Sequence, residues 1–591
     1  MKKINRIDFL KWSGGTALLP VAASLFNQAS QAMQYLADED LALLQRLNNA
    51  NDKQVILLLN TVNSGTLTFS RKIAYDFAAL TAAFCSEGSQ YHHDERLVEK
   101  MLILVQFLAA AQAADGTVNV GNLESPPDTA FLVEILGAAA AILHEHAMPV
   151  LNNVSLQLKQ VLLKAGDALA TGGVHTPNHR WVICAALAQL HAIYPNKKYI
   201  DRIEDWLGEG VFNDTEGYYP ERSGTYSAVE NACMIALSRF LNKTTLLQYV
   251  RKNLNLFYYH IEPDGVLVSM DSRRQDQYVP RNSNIFYLQY RYMALHDNNA
   301  LFATITKQME TQNDFEEAVL AKSLFSFLEN KLLQKKLPAV VAIPDYEKLI
   351  TTSQLLRIKR GPITLSLFGG IDWPLIIASG RSCSPNFFTY QNGGAALKYM
   401  RLSAAFFSMG YFYSEGIKKT AKGYQLHKKI AVPYYQPLAK DKRRKDGDYS
   451  LTPSIDNRFW NKMDFSKRPV SNVKTLETTI TLSEAAGNAQ ITIEVKGMDN
   501  VAITIELCFK EGGQLTGVSD VGNDNYLLDA QQAVYKYGAD AINFGPGLIT
   551  HKQIAELEGE RYSTHFGSLR TKGMHVYITG KTPLTHVIEF S

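Results

Sequence analysis

The chain is poor in the residues that mark the commoner kinds of chemistry. Its five cysteines (Cys85, Cys184, Cys233, Cys383 and Cys508) stand singly among 591 residues, and no two have the spacing of a zinc knuckle or a disulfide framework. Cys184 and Cys233 sit in apolar runs, where a buried free thiol is the ordinary state and a disulfide between them is the alternative. A net charge of only +3 excludes the strongly basic footprint of a nucleic-acid binder. There is no phosphate-cradling glycine loop, no nucleophile elbow and no His-Glu-x-x-His helix, which excludes the chemistries those motifs carry. His92-His93 has no partner ligands at suitable spacing, so neither a metal nor another cofactor is expected. Beyond the N-terminus, no stretch is expected to be long and apolar enough to cross a bilayer.

The first 32 residues read as an export signal. Lys2, Lys3 and Arg6 form a basic region, Ser13 to Phe26 an apolar one, and Ser30-Gln31-Ala32 a cleavage site. Arg6-Ile7-Asp8-Phe9-Leu10-Lys11 is similar to a twin-arginine signal with Ile7 in place of the second arginine. A periplasmic or extracellular bacterial protein is the expectation.

The rest is long enough for two or three domains. From about Asp38 to Lys335 helical periodicity recurs: Arg96–Gln112, Asp128–His146, Leu156–Ala170, Trp181–Tyr194, Val229–Leu241 and Asn284–His296. Several of these runs are apolar nearly all round, which demands burial on two sides, as in a bundle or an α/α toroid. Asp/Gly turns (Asp115-Gly116, Asp264-Gly265) recur after helix ends, a weak internal repeat that favours a toroid of helical hairpins. Past Leu337-Pro338 the period changes to two, in Ile363–Phe368, Thr478–Leu482, Ala489–Val495 and Val501–Cys508. The expected architecture is multidomain α+β: an incomplete (α/α) toroid over 33–337, then a large antiparallel β-sandwich over 345–591. Lys440–Asp448 is a charge run, read first as a solvated loop and second as a contact for an acidic glycan.

Two polar clusters each stand just ahead of an apolar helix: His175-Thr-Pro-Asn178-His179-Arg180-Trp181, and Gly217-Tyr-Tyr-Pro-Glu221-Arg222-Ser-Gly-Thr-Tyr226. Asn178 supplies amide donors for a carboxylate, the histidines supply acid–base groups, and Arg180 and Arg222 grip carboxylate or sulfate as forks. Tyr226 supplies a phenol that acts as acid or base beside a cation. Abstraction of the weakly acidic C5 proton of a uronic acid needs this set, because the carboxylate must be neutralised before an enolate can form.

An export signal, a run of paired helices, an Asn-His pair, a downstream Tyr and a strand-rich C-terminal half together resemble the toroid-plus-sandwich polysaccharide lyases. These include chondroitin AC and hyaluronate lyases, the heparinase II/III type and related alginate lyases. The resemblance covers nearly the whole mature chain in architecture and implies an acidic polysaccharide as partner. It implies Asn178 as carboxylate neutraliser, His179 as neutraliser or base, Tyr226 as base and acid, and Arg222 beside that tyrosine. His175, Arg180, Trp181, Glu221, Arg273, Arg274 and, from the sandwich, Tyr390 would line the cleft. The paired tryptophans of the chondroitin AC type are missing; only Trp181 follows the Asn-His.

Blander readings stand beside these. Asn178 is also suited to cap a helix starting near Arg180, Glu221-Arg222 to an ion pair, and Tyr226 to a core. The alternatives at the level of function are an α/α-toroid glycoside hydrolase, drawing its two carboxylates from Asp214, Glu216, Glu221 and Glu230, and a non-catalytic glycan-binding envelope protein.

Overall fold

A computed structural model describes residues 39–63, 67–277, 279–370, 376–377, 380–381, 384–407, 410–453, 460–552 and 571–591. The expected export signal and Cys383 lie outside the described residues. Cys85, Cys184, Cys233 and Cys508 are buried free thiols, so the Cys184–Cys233 disulfide does not form.

The chain divides into two compact units. One holds residues up to 173 together with 189–200 and 287–342. It is built of helices, among them Leu41–Asn63, Lys72–Cys85, Glu95–Ala111, Pro126–Glu145 and Asn152–Thr171. Their starts are set by side-chain caps: Asp94 accepts from the Arg96 amide, and Ser125 accepts from the Asp128 amide ahead of a proline-bearing first turn. Pro126–Glu145 corrects one expectation, because by length and composition it could cross a membrane. Most of it is buried in protein instead, and its Asp128 is ion-paired with Arg71.

The second unit holds 174–188, 201–286 and 343–591. Three helices frame its polar clusters: α1 (Pro177–Ile193), α2 (Gly224–Leu241) and α3 (Leu247–Tyr258). Helices α1 and α2 begin four or five residues earlier than their apolar runs suggest. Pro177 occupies the first helical position of α1, where its missing N–H costs nothing. Ser223 caps α2 by accepting from the Tyr226 amide. Asn178 is therefore inside the first turn of α1 and is not its cap. Likewise Tyr226 sits in the first turn of α2, a rigid mounting in place of a loop. The loop between them needs Gly217, at φ +117°: a Cβ there would lie 2.5 Å from the Lys252 carbonyl oxygen.

The C-terminal part of this unit is two sheets over one shared apolar core. A ten-stranded sheet runs from Tyr346–Ile350 at one edge to Ser519–Gly522 at the other, and an eight-stranded sheet from Ile417–Thr420 to Gln514–Thr516. The ten-stranded sheet contains β1 (Leu355–Arg360), and the eight-stranded sheet contains β2 (Gly423–Tyr435), β3 (Val470–Ala485) and β4 (Asn488–Gly497). Along β4, Ala489, Ile491, Ile493 and Val495 alternate inward with polar residues between them, the period-two signature of a half-buried strand. Among the described residues the pairing is antiparallel apart from Asn525–Leu527 against Met574–Lys581 and a single parallel bridge between Ile549 and Thr579. From β1, Arg357 reaches the turn after α3: its guanidinium is fully buried, forked onto Glu262 at 2.9 and 2.8 Å, with Nε donating to the Tyr259 carbonyl at 2.7 Å. Breaking such a buried pair leaves an uncompensated charge, so the helical hairpin is fixed to the sandwich strand within this unit.

Helix α2 also carries Glu230, one turn beyond Tyr226, with no exposed surface and no hydrogen bond to either carboxyl oxygen. Burial pushes this carboxyl up to about 8, against the opposing charge of Arg180. The folded chain thus holds a proton that the unfolded chain releases above roughly pH 4.5, so stability falls as pH rises from there to about 8 and is level beyond. Glu230→Gln should abolish that fall. Its melting temperature should gain on the parent's between pH 5 and 8, by the equivalent of a few kcal/mol at about 1.4 per pKa unit. Parallel melting curves for the two proteins across that range would exclude this account of Glu230.

Candidate active site

The site is built from three short stretches of the second unit: the first turn of α1, the loop leading into α2, and residues 271–277 after α3. Asn178 is fully buried, and its amide Nδ2 donates to Glu221 Oε2 at 2.6 Å and to Thr176 Oγ1 at 3.4 Å. The other Glu221 oxygen is ion-paired with Arg274. Arg274 Nη2 in turn donates to the Tyr226 hydroxyl at 3.0 Å, and the same guanidinium lies 4.2 Å from the centre of the Tyr226 ring. Gln275 Nε2 donates to that hydroxyl as well, at 3.1 Å. A continuous polar chain, Asn178–Glu221–Arg274–Tyr226, therefore joins the first turns of α1 and α2.

Asp276 holds the 271–277 stretch in place. It is buried and accepts from Ser223 Oγ and from the Gly224 backbone amide, both at 3.0 Å, and from Ser272 Oγ. A carboxylate on the first amides of α2 is favoured by the helix dipole, although burial still raises its pKa above the ordinary range. Deeper in, the Tyr218 hydroxyl donates to Asp271 and lies 3.2 Å from His260 Nε2 and 3.0 Å from Ser353 Oγ. Burial pushes Asp271 up, but the charge and hydrogen bond of His260 outweigh it and hold the carboxyl below its usual value.

The cations gather on one side of this framework. Arg222 is mostly buried at φ +44°, a left-handed conformation uncommon outside Gly, Asn and Asp, and its Nη1 donates to the Thr352 carbonyl at 3.3 Å. Arg273 Nη1 donates to the Pro220 carbonyl at 3.3 Å. Burial, and after it the charge of Arg222, draws the Arg273 guanidinium down to about 10, with Asp214 acting in the opposite sense. Burial also lowers Arg274. His179 is half-buried, edge-on to the exposed His175 ring at 4.7 Å.

Arg274 is a cation on the Tyr226 hydroxyl and ring, and Arg222 donates to the Thr352 carbonyl. Arg180 points to Glu209 at 2.8 Å and stacks on Trp181 at 4.7 Å. Trp181 is 1% exposed, so its indole offers no face to a sugar. Tyr390 is wholly buried in the sandwich core, its hydroxyl donating to the Gly487 carbonyl at 2.9 Å and its pKa pushed up to about 12 by burial. Neither ring can line a cleft in this structure. Gln275 and Asp276 belong to the same Asp271–Asp276 stretch as the Arg273-Arg274 pair, and Tyr218 to the Gly217–Tyr226 cluster, whereas His260 carries no signal of its own in the sequence. Among the described residues no cluster of three or more His, Cys, Asp or Glu is arranged to hold a metal ion.

No family model and no curated protein matches the chain. Solved structures do. A chondroitin AC lyase of Streptomyces coelicolor A3, determined in complex with chondroitin sulphate, is 12% identical, with 93% of this chain and 79% of that one covered at a TM-score of 0.54. A heparinase III is 11% identical over 87% and 75%, at 0.53. A Paenibacillus xanthan lyase is 9% identical over 92% and 57%, at 0.51. At these identities the likeness is one of fold. The chain has the fold of the polysaccharide lyases that join an (α/α) toroid to a large antiparallel β-sandwich.

Proposed function

We propose that this protein is an exported lyase that cleaves a uronate-containing polysaccharide by β-elimination, with Tyr226 as the proton carrier. The observation that carries the proposal is the environment of the Tyr226 hydroxyl. Two N–H groups, from Arg274 and Gln275, fill its acceptor capacity, which leaves its own proton for another partner. The same two donors stabilise the negative oxygen once the proton has gone.

In the proposed reaction Tyr226 first loses its phenolic proton to solvent, and the phenolate oxygen then takes the C5 proton of the uronate. The C–H electrons form an enolate across C5 and the carboxylate. They then form the C4–C5 double bond as the C4–O bond breaks, and Tyr226 or His179 returns a proton to the leaving oxygen. Arg222 and Arg273 are suited to neutralise the carboxylate, because their mutual repulsion falls when an anion lies between them. Asn178 was expected in that role. Its burial and its bond to Glu221 make it a positioning residue, which acts through Glu221 and Arg274. Arg180, His175 and Glu221 remain nearby polar groups without an assigned step.

A hydrolase needs two carboxylates free to face one glycosidic bond. The available acids are committed elsewhere. Asp214 Oδ1 accepts three backbone amides of its own turn, Glu216 binds Lys348 and Thr351, Glu221 bridges Asn178 and Arg274, and Glu230 is sealed in the core.

Incubation with glycosaminoglycans, alginate, pectins and rhamnose–glucuronate polymers should produce the ultraviolet band of a C4–C5 unsaturated uronate with at least one of them. Tyr226→Phe should lower kcat by roughly 10²–10⁴. New reducing ends without that band would move the assignment to a hydrolase, and binding with no cleavage at all would leave a glycan-binding protein. Within the polar chain, Glu221→Gln keeps a hydrogen-bond partner for Asn178 but strands the Arg274 charge. Each of Glu221→Gln and Arg274→Gln should cost about tenfold or more in kcat, and the double variant little beyond the worse single one. Strictly multiplicative losses would mean that the two side chains do not act as a unit.

A further inference from the structure

The charge run at 440–448 belongs to a structured projection that the proposed elimination does not use. Strand β2 pairs with β3 from Tyr424 opposite Leu482 out to Tyr435 opposite Val470. Strand β4 joins β3 only from Leu476 onward, and Ile417–Thr420 pairs with β2 only as far as Leu426. Ala431–Tyr435 and Val470–Thr475 therefore leave the eight-stranded sheet as a two-stranded arm. A bare two-stranded ribbon is marginal in water; this one is held at its base by Val432, packed against the sandwich core, and by Tyr434, 5.6 Å from the Phe407 ring, and beyond that by its tip. Tyr435 stacks on Phe465 at 4.6 Å, Leu438 is buried, the Gln436 amide donates to the Pro469 carbonyl at 2.8 Å, and Arg468 Nε to the Met463 carbonyl at 2.6 Å.

Two features of the arm set it apart. The described residues of the arm, 436–453 and 460–468, contain eight Lys/Arg and four Asp, a net of +4 from 27 residues, whereas the whole chain nets +3. The remainder of the protein is therefore at −1, and its excess positive charge is concentrated here. The second feature is apolar exposure. Of 21 exposed large apolar side chains among the described residues, seven lie between Tyr434 and Val473, including Trp460 at 64% exposed. Lys440, Lys442 and Lys445 are exposed, and their ammonium groups have no ion-pair or hydrogen-bond partner among the described residues, unlike Arg444, which is paired with Asp446 at 2.8 Å. Exposed apolar side chains and unpaired cations carried on one projection suit a binding surface.

We infer that the arm is an accessory site that holds a linear acidic polysaccharide away from the reaction centre. The three lysines would meet carboxylate or sulfate groups, and the Trp460 indole would cover the apolar face of a sugar ring. Aspartates interspersed among the cations suit a ligand with discrete, spaced charges better than a continuous anionic sheet such as a bilayer. The choice of a glycan as occupant rests on the lyase reading, but the surface itself does not.

The test uses the full chain carrying Tyr226→Phe, so that no polymer is consumed, and measures retention on immobilised heparin, on alginate and on neutral dextran. Adding K440A/K442A/K445A should weaken retention on both polyanions roughly 3- to 30-fold at low salt, with the difference shrinking as ionic strength rises. Trp460→Ala should weaken it with little dependence on salt. Dextran should retain none of the variants, and circular dichroism melts should be unchanged. Unaltered retention in the triple variant overturns the inference. So does a triple variant that keeps its glycan retention but loses binding to phosphatidylserine vesicles, or loses self-association in sedimentation. Lysine-dependent retention in a protein whose parent eliminates no glycan would refute the lyase reading and leave the arm standing.

Discussion

The arrangement depends on one buried carboxylate. Glu221 accepts from the Asn178 amide with one oxygen and is ion-paired with the Arg274 guanidinium through the other. Each contact fixes an element with no covalent reason to be near the others: the first turn of α1, the loop before α2, and the stretch after α3. Charge-assisted bonds in a low-dielectric setting are strong when made and expensive when one partner is missing. The three stretches therefore hold one another or none of them holds. Tyr226, at the end of the chain, takes its orientation from Arg274 and Gln275, whose own backbone is tied by Asp276 to the first amide of α2. The tyrosine and the groups that position it are thus anchored to the same helix end.

That economy explains why the helix starts matter more than the helix bodies. Trp181–Ala188 is buried throughout and does the work of packing. The first turns of α1 and α2 are where side chains can face a polar space while the backbone stays rigid, which is the condition for holding groups within a fraction of an ångström of a working geometry.

The sequence made the architecture legible because its two hydrophobic periods separate cleanly: long all-round apolar runs before Leu337 and period-two alternation after it. The Asn178–His179 and Glu221–Tyr226 clusters were legible as chemistry because polar groups of those types are costly beside an apolar helix without a task. What stayed hidden was direction. Apolar runs report where a core begins, whereas helices begin at a capping Ser or a first-turn Pro, so Asn178 and Tyr226 read as loop residues. The resemblance to the toroid-plus-sandwich lyases implied Arg222 as the partner of Tyr226. Arg222 donates to the Thr352 carbonyl, and Arg274, 48 residues beyond Tyr226, is the cation bonded to its hydroxyl. Tyr390 and Trp181 look alike in a string whether they face a sugar or a core, and only burial tells them apart. Glu230 reads as a candidate acid until its oxygens are found sealed among apolar neighbours.

The cations of the site impose a last constraint. A pocket that must neutralise a carboxylate has to survive without one, and this chain meets that need unevenly. Arg274 has a permanent counter-charge in Glu221, so its geometry is independent of substrate. Arg222 and Arg273 each donate to a backbone carbonyl, and burial, followed by the like charge of Arg222, draws the Arg273 pKa down. An arriving uronate relieves the repulsion, and charge building on its carboxylate as an enolate forms relieves it further. Under this reading the interaction grows from ground state to transition state, which is the only kind of interaction that accelerates the chemical step. In the proposed elimination, the arginine paired with Glu221 orients the base, and Arg222 and Arg273 stabilise the charge that the base creates.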